Sequence, residues 1–297
     1  MKKNILMTGS SGLVGTALLK YFTKEGYSVS LLKRSKVLAA NEFFWDPTIG
    51  EIDKLALKGI DVVVHLAGEP IAQRWSSSAK KRIVNSRVNG TRLLSEAIAQ
   101  SQVLPSLICA SGANYYGDQN EGVVDESSPS GIGFLAEVCR KWESAANPAI
   151  EAGVRVVFMR TGIVLSGYGG ALAKMLPFFK LGVGGRIGHG RQKMSWISLP
   201  DLVSAYVFAM ENLAVHGAVN AVAPEQVTNS MFTKTLGKVL GRPTVFPLPA
   251  SLVKILFGEM GKETLLCNLG VLPKSLTDLG FEWQQAELEI ALKHTLS

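Results

Sequence analysis

This sequence predicts an α/β fold, a doubly wound parallel sheet with a smaller, mainly helical C-terminal cap. Three observations predict it. Strand-like and helix-like segments alternate through the first half. The strands are apolar throughout rather than at every second residue. After about Thr161 the rhythm breaks into Gly-rich and Pro-interrupted stretches. Alternation of strand and helix implies βαβ units with right-handed crossovers. Continuously apolar strands imply a sheet buried on both faces. A chain of 297 residues is long enough for such a domain and a cap, and its 47% hydrophobic content and mean hydropathy of +0.20 fit buried parallel strands.

The elements follow in order. Lys3 to Thr8 reads as a strand, and Gly9 to Gly15 turns into a helix running to about Lys24. Tyr27 to Lys33 is a second strand, and Ile60 to Leu66 a third. Ser76 or Ser77 can cap a long helix to about Gln100, whose apolar positions Ile83, Val84, Val88, Leu93, Leu94 and Ile98 recur at three- and four-residue steps. Leu104 to Ala110 is a strand, Ile132 to Glu151 is mostly helix with its end disturbed by Pro148, and Val154 to Arg160 is a strand. Beyond come the glycines at 167–170 and 182–185, a short strand near Trp196, a helix from about Pro200 to Asn212 and a strand at Gly217 to Val222. From Thr228 the chain reads as helices broken by Pro243, Pro247, Pro249 and Pro273. We divide it into residues 1–165 and an interleaved cap at 166–297, the sheet recruiting later strands near 195 and 220.

The first strand-to-helix turn carries the motif with most chemical content. Gly9-Ser10-Ser11-Gly12-Leu13-Val14-Gly15 is a G-x-x-G-x-x-G loop. Such glycines permit the tight turn, let backbone approach a pyrophosphate, and let helix pack on strand. The helix N-terminus that follows offers free N–H groups and a positive dipole to phosphates. This is the signature of a Rossmann-type dinucleotide site, with Gly9, Ser11, Gly12, Leu13, Val14 and Gly15 as its cradle. The end of the second strand chooses between dinucleotides. Asp or Glu there would hold a ribose 2′-OH. Here Leu32 runs into Lys33-Arg34-Ser35. Arginine offers a planar fork suited to a 2′-phosphate, so NADP(H) is expected ahead of NAD(H). His65-Leu66-Ala67-Gly68-Glu69 ends the third strand, and its small residues allow the chain to pass close to that ligand.

Composition excludes several classes. No apolar run approaches the roughly 18 residues of a membrane span, and Lys2 and Lys3 precede only three apolar residues, short of a signal peptide; a cytoplasmic location is expected. Cys109, Cys139 and Cys267 form no metal-type pair, so neither a metal site nor a disulfide framework is expected. Net charge is +7, but the basic residues are scattered apart from Lys80-Lys81-Arg82, which argues against nucleic acid. A small-molecule substrate is the expected partner; monomer and homodimer stay open.

Taken together, Thr8 to Gly15, His65 to Gly68 and Tyr115-Tyr116-Gly117-Asp118 resemble the extended short-chain dehydrogenase/reductases. Further segments narrow the resemblance to an atypical branch, the NAD-dependent epimerase/dehydratase family with a C-terminal domain of unknown function. These are Ala67 to Ile71, Arg74-Trp75, Ser86-Arg87, Phe134 to Cys139, Arg160 to Leu165, Met194 to Ile197, and, in the tail, Leu240 to Pro243 with Gly258-Glu259-Met260. The resemblance spans essentially the whole chain. It implies that Leu66, Ala67, Gly68, Glu69, Arg87, Ser111, Thr161 and Gly162 also face the cofactor. It further implies substrate contacts at Arg74, Trp75 and Tyr115, and at Arg191 as a partner for a substrate's anionic group.

At one place the pattern breaks. The wider family uses a Ser or Thr, a Tyr as general acid/base, and a Lys four residues later that lowers the Tyr pKa and holds the ribose. None of the six tyrosines here has Lys at that spacing, and Leu135 and Cys139 fall where the pair would stand. Ser111 remains near the family's Ser position, with Gly112 as the alternative register, and Ser111 and Tyr116 are the candidate catalytic residues. The expected function is an NADP(H)-dependent oxidoreductase or epimerase-like enzyme acting on a small polar substrate. The alternative is a non-catalytic NADP(H)-binding sensor or partner-docking protein.

Overall fold

Alternate residues of the core strands point to opposite faces, and both faces are dry. In the computed structural model, which describes residues 2–35, 39–119 and 122–297, the first strand β1 (Asn4–Thr8) places Ile5 and Met7 in one hydrophobic cluster and Leu6 in another. The sheet grows outward from β1. After helix α1 (Leu13–Lys24) come β2 (Ser28–Lys33), β3 (Glu42–Asp46) and the short β4 (Glu51–Ile52) on one side. On the other side lie β5 (Val62–His65), then, after α2 (Ser77–Ala99), β6 (Ser106–Gly112), and, after α3 (Phe134–Ser144) and α4 (Asn147–Glu151), β7 (Val156–Thr161).

The chain then leaves the sheet. A two-stranded parallel pair joins β8 (Ile163–Leu165) to β10 (Trp196–Ser198), with α5 (Gly170–Lys180) and β9 (Lys193–Met194) between them in sequence. Helix α6 (Leu199–Glu211) leads back to β11 (Gly217–Ala221), which pairs in parallel with β7. The eight-stranded order is therefore β11-β7-β6-β5-β1-β2-β3-β4, parallel except for the antiparallel edge strand β4. The cap is completed by β12 (Val227–Thr228), α7 (Asn229–Leu240), α8 (Ala250–Thr264), α9 (Lys274–Asp278) and α10 (Leu288–Leu296).

The layers follow from the pattern. Leu18 and Phe22 of α1 and Leu202, Tyr206 and Met210 of α6 cover one face, over Val62, Val64, Ile108, Val157 and Met159. Leu94 and Ile98 of α2 with Trp142, Ala146 and Ala149 cover the other, over Val63, Leu107, Cys109, Val156 and Phe158. A third cluster binds β8, Trp196, α5, α7 and α10 into the cap. Among the described residues no helix is long and apolar enough to cross a membrane.

Several elements differ from the sequence reading. Strand β3 falls in a stretch with no element assigned; Phe43, Phe44 and Trp45 form a short apolar run that pairs with β2. The helix expected from Ile132 to Glu151 is two helices, and Pro148 lies in the first turn of the second, where its missing N–H costs nothing. Helix α5 likewise falls in a stretch with no element assigned, and the glycines at 167–170 lead directly into it. Long α2 begins as expected, with the Ser76 hydroxyl accepting from Ala79 N–H at 3.2 Å.

Candidate functional site

Strand order reverses around β1, so a crevice opens at the C-terminal ends of β1 and β5, the usual ligand position in open α/β sheets. The glycine loop fills this point. Gly9 has φ +69°, and a Cβ on it would lie 2.8 Å from Ala67 N. A Cβ on Gly15 would lie 2.2 Å from Gly9 O. Gly12 caps α1 without a side-chain bond, leaving the helix start uncovered. Leu13 closes the loop from above, its side chain reaching Gly169 and Gly170 before α5. Val14 is half-buried beside it, and Ser11 is exposed at the rim.

Thr8 and His65 fix the neighbouring turn. The Thr8 hydroxyl accepts from Leu66 N–H at 3.1 Å and Ala67 N–H at 3.2 Å, so its proton goes to His65 Nδ1 at 2.7 Å. His65 is thus neutral; complete burial pulls its pKa down to about 4. Glu69 N–H donates to Ser86 Oγ, and Glu69 O accepts from Arg87. The β1 and β5 ends therefore hold Leu66 and Ala67 directly against Gly9. At the end of β2, Lys33 is engaged in an ion pair with Glu42. Arg34 and Ser35 are exposed just past the end of β2.

A buried polar chain lies at the ends of β6 and β7. Ser111 Oγ donates to Glu143 Oε1 at 2.7 Å. Glu143 is gripped by Arg160, Nε to Oε1 at 2.9 Å and Nη2 to Oε2 at 2.8 Å. Arg160 Nη1 donates to the Tyr116 hydroxyl at 2.9 Å, which in turn donates to Asn220 Oδ1 at 2.8 Å. The Tyr115 ring stacks 3.4 Å from the guanidinium. Burial opposes the charge of Arg160, yet the bonds to Glu143 and Tyr116 hold its pKa above the usual guanidinium value. Burial pushes the Tyr116 hydroxyl up to about 12, against the pull of Arg160. Two candidate residues, Ser111 and Tyr116, thus belong to one network, but in different ways. Tyr116 is fully buried and its hydroxyl is committed twice. Ser111 has spent its only proton on Glu143 and keeps its lone pairs. Thr161 and Gly162 continue from β7, the Thr161 hydroxyl donating to Met159 O and Gly162 packing against Ser195 O.

Leu135 and Cys139 are both buried on α3. Cys139 Sγ lies 3.6 Å from Gly112 O, and burial raises its pKa to about 11. The N-terminus of α3 receives a residue from the cap: Glu263 on α8 accepts from Phe134 N–H and Leu135 N–H, each at 2.8 Å. Trp75 packs edge-on to Phe134 with centroids 4.9 Å apart, and Lys80 lies over both rings while pairing with Glu259 of α8. So Trp75 is drawn to the α3–α8 junction. Arg74 beside it is exposed, and Arg191 is exposed on a separate loop packed against Asn229 and Ser230.

Glu143, Asn220 and Glu263 were not identified as site residues from sequence. One signal was available. Arg160 closes the apolar run from Val156, and a charge in a strand buried on both faces must find a partner. Nothing local identifies Glu143 as that partner.

Residues 5–222 match the family described as NAD dependent epimerase/dehydratase, and residues 248–295 match a domain of unknown function, DUF1731. An epimerase family protein from Mycobacterium tuberculosis is 42% identical over 97% of this chain and 96% of its own. The human epimerase family protein SDR39U1 is 35% identical over 99% of both chains. Among solved structures, human SDR39U1 (isoform 2) crystallised with NADPH superposes with a TM-score of 0.89 at 34% identity, covering 98% of each chain. A nucleoside-diphosphate sugar epimerase from Corynebacterium glutamicum gives 0.82 at 37% identity, over all of this chain and 58% of that one.

Proposed function

Because the chain belongs to the NAD dependent epimerase/dehydratase family, we propose that it is an NADP(H)-dependent oxidoreductase or epimerase-like enzyme acting on a small polar substrate. The observation that carries this reading is the cradle at Gly9, Gly12 and Gly15, where any side chain would collide with backbone or fill the approach. Such a cradle fits a pyrophosphate over the start of α1. Arg34, exposed just past the end of β2, would hold the 2′-phosphate that distinguishes NADP(H), with Ser35 adjacent and Lys33 shared with Glu42. Leu66, Ala67, Gly68, Thr161 and Gly162 would line the remainder. The NADPH in the human relative supports the same choice. When bound, the cofactor supplies hydride transfer.

The chain's own residues contribute positioning and proton placement. Arg160 fixes Glu143, and Glu143 fixes the Ser111 proton, so Ser111 faces the crevice as a hydrogen-bond acceptor and orients a substrate hydroxyl. Tyr116 acts indirectly by holding Arg160. Trp75, Arg74 and Tyr115 bound the substrate side, and Arg191 would meet an anionic group there. The buried Leu135 and Cys139 favour a second reading, an NADP(H)-binding protein without turnover.

Thermal-shift titration with NADPH and NADH, on the wild type and on Arg34→Asp, tests the cofactor assignment, since ligands that bind the native state raise its melting temperature. Charge-assisted bonds contribute about 1.5–3 kcal/mol, so the variant should lose roughly 10–150-fold in NADPH affinity and little in NADH affinity. Equal shifts by both nucleotides in both proteins would remove the NADP(H) preference. NADPH oxidation across carbonyl and nucleotide-sugar panels separates enzyme from sensor.

A further inference from the structure

The cap contains a cationic cavity that shares no lining residue with the crevice. Its walls come from the loop between α5 and β9, the first turns of α7, and the segment joining α7 to α8. It measures about 190 Å³, and Arg186, Ser230, Thr233, Lys234, Thr244 and Val245 are among the residues lining it. Sites for drug-sized ligands run to roughly 300–1,000 Å³, so this one has room for a small group and not for a dinucleotide.

Backbone geometry brings these side chains together. Gly185 bridges to Val245 and Ile187 to Leu248, so the two segments run side by side. Ile187 turns inward, 8% exposed, and its neighbour Arg186 turns outward. Gly190 has φ +73°, and a Cβ there would lie 2.1 Å from Ser230 Oγ and 3.4 Å from Arg186 Cδ. The Arg186 stem and the Ser230 hydroxyl therefore share one corner. Thr233 and Lys234 stand three and four residues along α7, on the same helix face as Ser230. A Cβ on Gly237 would lie 2.3 Å from Thr244 Cγ2, so that glycine lets Thr244 close against α7.

The polar groups assembled in this way are unspent. Arg186 reaches one backbone carbonyl, His189 O, at a long 3.4 Å. Among the described residues Lys234 has no ion pair, and the hydroxyls of Ser230, Thr233 and Thr244 make no hydrogen bond. Thr233 is 2% exposed, and its buried Oγ1 has no partner. Native structures rarely leave such a group unsatisfied unless something else binds there. No carboxylate competes for the cations. Residues 162–200 and 226–258, which supply every wall, contain no Asp or Glu and nine Lys and Arg. The remaining 22 Lys and Arg are outnumbered by all 24 Asp and Glu. The chain's positive excess thus belongs to these two segments, and its field draws anions to them.

We propose that this cavity binds a phosphate group, carried by a soluble phosphomonoester or by a phospholipid headgroup. The Arg186 guanidinium supplies a planar fork and the Lys234 ammonium a point charge, both suited to phosphate oxygens. The hydroxyls of Thr233, Ser230 and Thr244 donate to the remaining oxygens, and Thr233 gains the partner that the protein withholds. Val245 and Phe246 at the rim are 70% and 58% exposed, an apolar border that an acyl chain would cover. The site is independent of the glycine loop and does not rest on the cofactor reading.

Calorimetric titration of the NADPH-saturated protein with inorganic phosphate tests the proposal, the dinucleotide keeping the glycine loop filled. Wild type should bind phosphate in the millimolar range or tighter, and more weakly as salt is raised. Arg186→Gln/Lys234→Gln should weaken phosphate by about tenfold or more. Both residues are exposed, so this variant should keep the melting temperature and NADPH affinity of wild type. Thr233→Val removes the hydroxyl at constant shape. It should weaken phosphate by about threefold or more yet melt no lower than wild type, since it deletes an unsatisfied polar group. A merely structural Thr233 would change melting and leave phosphate binding alone. Cosedimentation with phosphatidylcholine vesicles containing phosphatidic acid, against pure phosphatidylcholine, separates the two sources. Pelleting of wild type with the acidic vesicles alone, lost in Arg186→Gln/Lys234→Gln, assigns the site to a lipid headgroup. Phosphate binding without pelleting assigns it to a soluble phosphomonoester. Absence of both, or wild-type phosphate affinity in either variant, overturns the proposal and leaves the cofactor reading intact.

Discussion

Replacing Arg160 with Met should be among the most damaging single changes outside the glycine loop. The Arg160 side chain is 5% exposed and its partner Glu143 12%. Removing the guanidinium leaves a largely buried carboxylate that has lost both Arg160 bonds and keeps only the one from the Ser111 hydroxyl. Breaking a buried pair in this way costs about 3–5 kcal/mol. Unfolding entropy of about 2.1 cal/mol/K per residue gives a chain of this length on the order of 0.6 kcal/mol/K, so the melting temperature should fall by about 5–8 °C. The double variant Arg160→Met/Glu143→Met removes the stranded charge and should melt a few degrees above the single one, because neighbours in one network do not add. Melts followed by near-ultraviolet circular dichroism decide the matter. A single variant within about 1 °C of wild type, or a double variant showing the plain sum of the two losses, would refute the claim that Glu143 depends on Arg160 for its charge.

Two further outcomes follow from other contacts. Glu263→Gln leaves one amide oxygen for the two N–H donors of α3 and should cost on the order of 1 kcal/mol; faster limited proteolysis within 250–263 is the readout, and unchanged cleavage would mean that α8 is held elsewhere. His65 should make stability fall in mild acid. Its folded pKa is near 4 against 6.5 for the unfolded chain, so between those values the unfolded state binds more protons. The stabilising contribution is complete above about pH 6.5 and is lost as pH falls toward 4, approaching roughly 3 kcal/mol. Urea midpoints measured from pH 7.5 to 5 should decline in wild type and flatten in His65→Asn; parallel slopes would assign the acid sensitivity to other groups.

The sheet was legible because its signal is local. Runs such as Val62-Val63-Val64 and Val156 to Met159 are apolar at every position, and only a strand covered on both faces sustains that. The glycine loop was legible for the same reason, since a turn that must clear backbone within seven residues writes its need into those residues. Glu143 was not, because its role on helix α3 depends on Arg160 arriving from strand β7, 17 positions later in sequence. Helix α5 was hidden by flanking glycines that its start happens to use. The Glu263 contact pairs residues 129 apart, and no periodicity in either segment records the other.

The return of the chain to the sheet through β11 limits how the molecule can be divided. A fragment ending near residue 165 would contain the glycine loop and most of the sheet, yet Val157 to Thr161 would lose the partners Gly217 to Ala221. Five residues of parallel strand, three of them apolar, would then present a raw edge of unpaired amides and carbonyls. Such an edge is a template for joining a second chain, so the fragment should form soluble aggregates or fibrils before it binds any nucleotide. The two halves are two by position but one by assembly. A ribosome must finish residue 221 before the first half can seal its own border.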